Sequence, residues 1–389
     1  MSEPIDSLQI GMRRPLARAD GLDRMLQTLA AALPSHGVNV HDPSAESPAL
    51  PPLPAPAAPS NSIVQTFANA QASLAKLLRR PPSQGALEPG RKPDVVALHF
   101  AAQAAPTLGK FGKVPRVVHF HGSWADEHRT ERGAALLGPV RYGLERMVYR
   151  GASRHIVLSQ ESSDVLHRRY HVPEEAIRVV PGCVDTSRFA LRFTKRQARK
   201  RLGLPHDRPI LLCARPLVPG MGLDDLIDAI FIVKMTVPEV LLVMAGMGSE
   251  QNRLYGRIVA RGLQEHVRLA GFVSDDVLPE YYRAADLTVV PTVNMRDCGL
   301  TAIESLATGT PVLVTSEGGA ANAVAPLSDD LVVQSGDHMA LGGGIADALL
   351  GVRLTPSHDA CRRYARKHFD HSVIAPQIAE VYRDAIETF

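Results

Sequence analysis

Cysteine is scarce in this chain and scattered. Cys183, Cys213, Cys298 and Cys361 form no CxxC pair. That spacing argues against a disulfide framework and against a cysteine-built zinc site, and it favours a reducing compartment. Long apolar runs are missing too: none approaches the ~20 residues that span a bilayer. The opening stretch, "MSEPIDSLQIGMRRPLARAD", is charged and lacks the apolar core of a signal peptide. A cytoplasmic location is the expectation. Nor is there an excess of one charge. Lys and Arg number 43 against 40 Asp and Glu, a net charge of +3. Bulk nucleic-acid binding is therefore not expected, although a local basic patch is not excluded.

What is present is an ordinary globular composition, 45% hydrophobic and 21% charged over 389 residues. At roughly 150 residues per domain, that length accommodates two or three cored domains. "SLQIGMRR" reads as a first strand. "LDRMLQTLAAAL" follows with Leu22, Met25, Leu26, Leu29 and Leu33 at helical spacing, and then "HGVNVHD" as a short strand. The chain thus opens β-loop-α-β, the start of a doubly wound α/β domain. Residues 43–62 are proline-rich, which denies both helix and ladder hydrogen bonding. They read as a surface excursion or as a partner-docking segment. "SIVQTFANAQASLAKLLRR" reads as an amphipathic helix with a basic end. It packs on the sheet or touches a membrane surface.

Alternation of apolar strands and helices continues through "PDVVALHFA", "PRVVHFHG", "RHIVLSQ" and "IRVVPGCVD". The basic run "RFTKRQARKRLGLPHDRP" reads as a solvated helix before a domain junction. A second alternation follows, with "PILLCAR", "VLLVMAG", "VRLAGFV", "LTVVPT" and "PVLVTS" as strands. Strands this apolar are buried on both faces, as in a parallel sheet. The expected domains are 1–205, 206–372 and a C-terminal helix, 373–389, able to pack back across the junction. Parallel sheets bind ligands beyond the C-terminal ends of their strands, so two such domains are expected to face each other across an interdomain cleft.

Glycine turns at strand ends mark candidate ligand positions. "CARPLVPGMG", residues 213–222, joins a strand to a helix and carries one cation, Arg215. "AGMGS" supplies Gly246 and Gly248, for ligand approach or for a structural turn. In "RDCGLTAIESLATGTPVLVTSEGG", Gly299, Leu300 and Thr301 open a helix whose N–H groups can face an anion. Glu304, one turn on, is suited to accept from sugar hydroxyls, unless it is a surface carboxylate. No carboxylate pair at a strand end demands a metal.

Taken in order, "HFHG" at 119–122, "IVLSQ", "VVPGCVDTSRF", "AGMGSEQNRL", "VRLAGFVSDDVLPEYYRAADLTVVPT" and "CGLTAIESLATGTPVLVTSEGG" resemble the GT4-type retaining glycosyltransferases, which have the GT-B fold. The resemblance runs from about Gly21 to the C-terminus and is weakest in the proline-rich excursion. It implies two Rossmann-like domains, with a nucleotide-sugar donor held mainly by the second and the acceptor on the first. By position, Glu304 would accept from the donor ribose, Phe272 and Val273 would lie near the base, and Gly21 would approach the diphosphate. Gly299, Leu300 and Thr301 would offer N–H groups. His121 would touch the transferred sugar, or else be a buried structural histidine. His119 is expected on the opposite face of the strand. Front-face transfer with retention follows from the resemblance, the leaving phosphate taking the acceptor's proton. Neither metal nor cofactor is implied beyond the nucleotide-sugar substrate. The acceptor would be a glycan, a lipid-linked group or a small molecule.

Three positions depart from the family pattern. Its Arg and Lys in the 213–222 turn fall on Pro216 and Met221, leaving Arg215 one residue out of register. Its first Glu, eight residues before Glu304, is Arg296 here, followed by Asp297 and Cys298. Arg has no acceptor atom, but Arg215 or Arg296 would restore part of the lost positive charge. Two lost charge-assisted hydrogen bonds cost roughly 3–6 kcal/mol, about 10²- to 10⁴-fold in rate. The alternatives are therefore a catalytically impaired relative serving as partner subunit of another glycosyltransferase, and a sugar-nucleotide epimerase. A peripheral contact at the inner membrane face also stays open.

Overall fold

The computed structural model describes residues 3–12, 21–42, 91–107, 109–123, 138–293 and 298–389. The proline-rich excursion, the amphipathic helix expected after it, Arg296 and Asp297 lie outside the described residues. The chain forms two α/β units, each around a six-stranded parallel sheet.

The first unit takes in 1–17, 29–180 and 375–389. Its strands are β1 (Ile5–Ile10), β2 (Val38–His41), β3 (Val95–Leu98), β4 (Arg116–Phe120), β5 (Arg154–Val157) and β6 (Ile177–Val179), in the order β2-β1-β3-β4-β5-β6. The apolar runs form strands buried on both faces, and β3 is buried at all four residues. β1 starts earlier and ends sooner than "SLQIGMRR" suggests, because Gly11 takes a φ of +86° and turns the chain. Ser159 caps the helix Gln160–Tyr170, its side chain accepting from Ser162 N. Tyr170 from that helix donates to buried Glu145 at 2.6 Å.

The second unit takes in 18–28 and 181–374. Its strands are β7 (Ile210–Ala214), β8 (Leu241–Ala245), β9 (Val267–Gly271), β10 (Leu287–Val290), β11 (Val312–Thr315) and β12 (Val332–Val333), ordered β12-β11-β10-β7-β8-β9. From β7 the chain winds to β8 and β9 on one side, then returns to β10, β11 and β12 on the other. Adjacent β7 and β10 are thus the topological switch point, where such sheets take their ligands.

Two expectations need correction here. The compact units part at Val180 and Pro181, not near residue 205. The reason is the helix Lys195–Arg201, which is built into the second unit. Nor is it solvated on every side: Arg196, Gln197, Lys200 and Arg201 are exposed, but Ala198 and Arg199 are buried. Arg199 is 5% exposed and donates to Ala284 O, His206 O, Arg208 O and Asp286 Oδ2. Lys195 reaches the other oxygen of Asp286 at 2.7 Å, and Arg201 pairs with Glu280. Partly buried Asp286, which also accepts from Ile210 N at 2.7 Å, ties the buried side of the basic run to the N-terminal ends of the central strands β7 and β10.

Candidate functional site

The turn 213–222 leaves the C-terminal end of β7 and keeps pairing with the turn after β8. Arg215 N donates to Ala245 O at 2.9 Å, Leu217 N to Met247 O at 3.0 Å and Glu250 N to Leu217 O at 2.9 Å. This close approach needs glycine. A Cβ on Gly246 would fall 2.0 Å from Arg215 O, and one on Gly248 would fall 2.1 Å from Leu217 O. Both glycines thus serve the packing of one turn on another. At the far end of the turn, Gly222 has a φ of +70°, and a Cβ there would meet Pro291 O at 1.5 Å. The β7 turn is thereby clamped between the turns of β8 and β10.

That path decides where Arg215 goes. Its Nη1 donates to Thr292 Oγ1 at 3.2 Å and its Nη2 to Met221 Sδ at 3.1 Å. The guanidinium therefore lies over the switch point, between the ends of β7 and β10. Pro216 is exposed.

Beside it starts the helix Leu300–Thr308. Gly299 stands at its N-cap with a φ of +76°, and Thr301 Oγ1 ties the first turn to Ala214 O at 3.2 Å. The leading N–H groups of Leu300 and Thr301 have no acceptor within the helix, and its dipole favours an anion there.

Glu304, one turn on, is no surface carboxylate: it is 3% exposed. Its Oε2 accepts from Tyr282 Oη at 2.8 Å. Its Oε1 accepts from Arg24 Nη2 at 2.7 Å and from Arg24 Nε at 3.1 Å. Arg24 also donates to Asp275 Oδ1 at 2.8 Å. Burial works against the charge on Arg24, yet the Glu304 carboxylate holds its pKa above the ordinary value. Burial, and then the Glu304 charge, push the Tyr282 phenol well above its usual range. Arg24, Tyr282 and Asp275 carried no sequence signal, since nothing local marks them as partners of Glu304.

Gly21 opens the helix Gly21–Ala32. Unlike Gly222, Gly246 and Gly248 it has room: a Cβ would lie 3.5 Å from Arg24 Nη2 and 3.6 Å from Leu300 Cδ1. Phe272 and Val273 follow the edge strand β9; Phe272 is 45% exposed, and Val273 packs on the core.

His121 belongs to the first unit, just past β4. Its Nε2 lies 3.2 Å from His99 Nδ1. His119 does not face away from it. Residues two apart in a strand share a face, and both histidines stack on His99, with ring centroids 4.5 and 5.5 Å away. His119 is buried against the Tyr382 hydroxyl at 2.8 Å. Burial, and then the charge of His121, push its pKa down to about 3, so it stays neutral.

Among the described residues no group of three or more His, Cys, Asp or Glu side chains is placed to hold a metal ion. Among them, too, no helix is long and apolar enough to cross a membrane.

The chain is similar to known proteins over much of its length. A Glycosyltransferase Family 4 model matches residues 19–188, and a Glycosyl transferases group 1 model matches residues 194–368. A D-inositol 3-phosphate glycosyltransferase from Thermobispora bispora is 32% identical over 313 residues, covering 77% of this chain and 72% of that one. A mannosylfructose-phosphate synthase from Agrobacterium fabrum is 32% identical over 190 residues, 46% of this chain but only 41% of that protein. In fold, the chain superposes on a sucrose-phosphate synthase from Thermosynechococcus elongatus with a TM-score of 0.75, at 22% identity and full coverage of both chains. Two doubly wound sheets, the matching motif order and the Thermobispora relative agree: the chain belongs to the GT4-type glycosyltransferases of the GT-B fold.

Proposed function

We propose that this protein moves a sugar from a nucleotide-sugar donor to a hydroxyl acceptor with retention of anomeric configuration, and that Arg215 supplies the cation for the donor diphosphate. The observation that carries this reading is the reach of the Arg215 guanidinium to Met221 and Thr292. Met221 stands where the family has its Lys, so a positive charge returns to that place from a different backbone position. Leu300 and Thr301 add N–H groups at a helix N-terminus. Together they stabilise the charge that develops on the departing diphosphate. The same phosphate accepts the proton of the attacking hydroxyl, so the reaction needs neither a strong side-chain base nor a metal ion.

Glu304 takes the ribose hydroxyls in this reading. An ionised carboxylate offers about four lone-pair sites. Arg24 and Tyr282 contribute three hydrogen bonds to it. A bound ribose shares the carboxylate with Arg24 or displaces it. Phe272 and Val273 flank the base, Gly21 admits the diphosphate, and His121 meets the transferred sugar. The acceptor is a glycan, a lipid-linked group or a small molecule.

The test is turnover with a panel of UDP-, GDP- and ADP-sugars, with the anomeric configuration of the product read by proton NMR. Retained configuration supports the reading, and inversion refutes it. Nucleotide binding without turnover on any acceptor would favour the impaired partner-subunit reading. Product formed without an acceptor would favour the epimerase.

A further inference from the structure

Within the first unit, polar groups within β2 and β1 and the histidines just past β3 and β4 form one hydrogen-bonded row. Ser7 Oγ donates its single proton to Asn39 O at 2.8 Å. Toward Gln9 Nε2, 3.0 Å away, Ser7 must therefore act as acceptor. That fixes which way the Gln9 amide faces. Its nitrogen also reaches the Tyr382 hydroxyl oxygen at 3.3 Å, and that hydroxyl lies 2.8 Å from His119 Nε2. Gln9 Oε1 is left facing His99 Nε2 at 2.7 Å.

An amide oxygen only accepts, so His99 carries a proton on Nε2. His99 is buried, and burial followed by the neighbouring His119 and His121 pushes its pKa well below the ordinary imidazole value. It is neutral, has one proton, and bears its lone pair on Nδ1. That lone pair faces His121 Nε2 at 3.2 Å, where only a donor completes the bond. In a neutral imidazole the bond made by one nitrogen sets the role of the other.

We propose that the row Asn39–Ser7–Gln9–His99 fixes the proton of His121 on Nε2, which leaves Nδ1 able only to accept a hydrogen bond. Gln9 and His99 are then positioning residues acting through His121. The consequence is a specificity rule: a group that approaches Nδ1 must donate, as a hydroxyl does, whereas a fluorine or carbonyl there is rejected. The role toward substrate rests on the reading of His121 given under Proposed function; the proton assignment does not.

The experiment is long-range ¹H–¹⁵N NMR of the histidine rings in the full chain, with His121 identified through His121→Asn. His121 protonated on Nε2 is the expected result, and protonation on Nδ1 in the wild type overturns the proposal without need of any variant. Gln9→Met removes the acceptor that holds His99, so His121 is expected to become a mixture of tautomers. An unchanged tautomer in a folded Gln9→Met protein also overturns the proposal. His121→Ala, assayed separately for transfer, keeps the two readings apart. Full activity there removes the sugar contact while the proton assignment stands.

Discussion

Arg215 Nη2 lies 3.1 Å from Met221 Sδ, so the one cation of the turn after β7 reaches across to the far end of that turn. The ladder bonds of Arg215 and Leu217 to the β8 turn set this path. Thr292, buried at the end of β10, holds the other side of the guanidinium.

Removing that cation should weaken donor binding and slow transfer. Arg215→Ala is expected to lower kcat/KM by about 10- to 150-fold, the worth of one charge-assisted hydrogen bond of roughly 1.5–3 kcal/mol. Adding Met221→Lys to that variant puts a cation back at the neighbouring position and should recover much of the loss. Steady-state kinetics on the single and double variants check this; no recovery would mean that Arg215 acts elsewhere.

The Glu304 cluster makes a stability statement. Arg24→Met leaves the Glu304 carboxylate buried without its cation and is expected to cost about 3 kcal/mol or more. Tyr282→Phe removes one hydrogen bond to a charge, about 1.5–3 kcal/mol. Urea unfolding of the two variants and of their combination measures the coupling. Simple additivity would show that the three side chains do not act as a unit.

The glycines separate by space. Gly246→Ala and Gly222→Ala each force a Cβ into a backbone oxygen, at 2.0 and 1.5 Å, and should fold poorly. Gly21→Ala has neighbours no closer than 3.5 Å and should melt like the wild type. Its effect is expected in nucleotide affinity alone, because a methyl group there obstructs close approach of a diphosphate. Melting curves combined with binding titrations distinguish the two classes.

Acid should destabilise the first unit early. Burial holds His119 neutral down to about pH 3 and His155 down to about pH 4, and it pushes His99 well below its ordinary value. In the unfolded chain each takes up a proton below about pH 6.5. Their full contribution is thus present above that pH and falls as pH drops, at roughly 1.4 kcal/mol per pH unit for each group. The three contributions fall together as the pH drops below about 6. Urea denaturation at pH 7, 6 and 5 gives the slope, and a flat curve would contradict these assignments.

The sheets were legible because their strands are short, pure apolar runs such as "VVAL" and "LLVMA", a pattern that only burial on both faces explains. The start of the helix Leu300–Thr308 was legible in its glycine. What local pattern could not convey was partnership across the chain. Arg199 looks solvated within "RKRLG" until Asp286 is brought beside it. Arg24 and Glu304 lie in distant segments, and no periodicity links them. The register of Arg215 depended on how the β7 turn packs on Gly246 and Gly248, a property of two turns together. His119, expected on the opposite face, shares the face of His121, a pairing that strand alternation already implies.

Calorimetric titration of the wild type and of Arg215→Ala with UDP, GDP and ADP tests the central claim most directly. The expected result is binding of one nucleoside diphosphate by the wild type and an affinity at least about tenfold weaker in Arg215→Ala. No binding of any of the three, or equal binding by both proteins, would contradict the assignment of the donor diphosphate to Arg215.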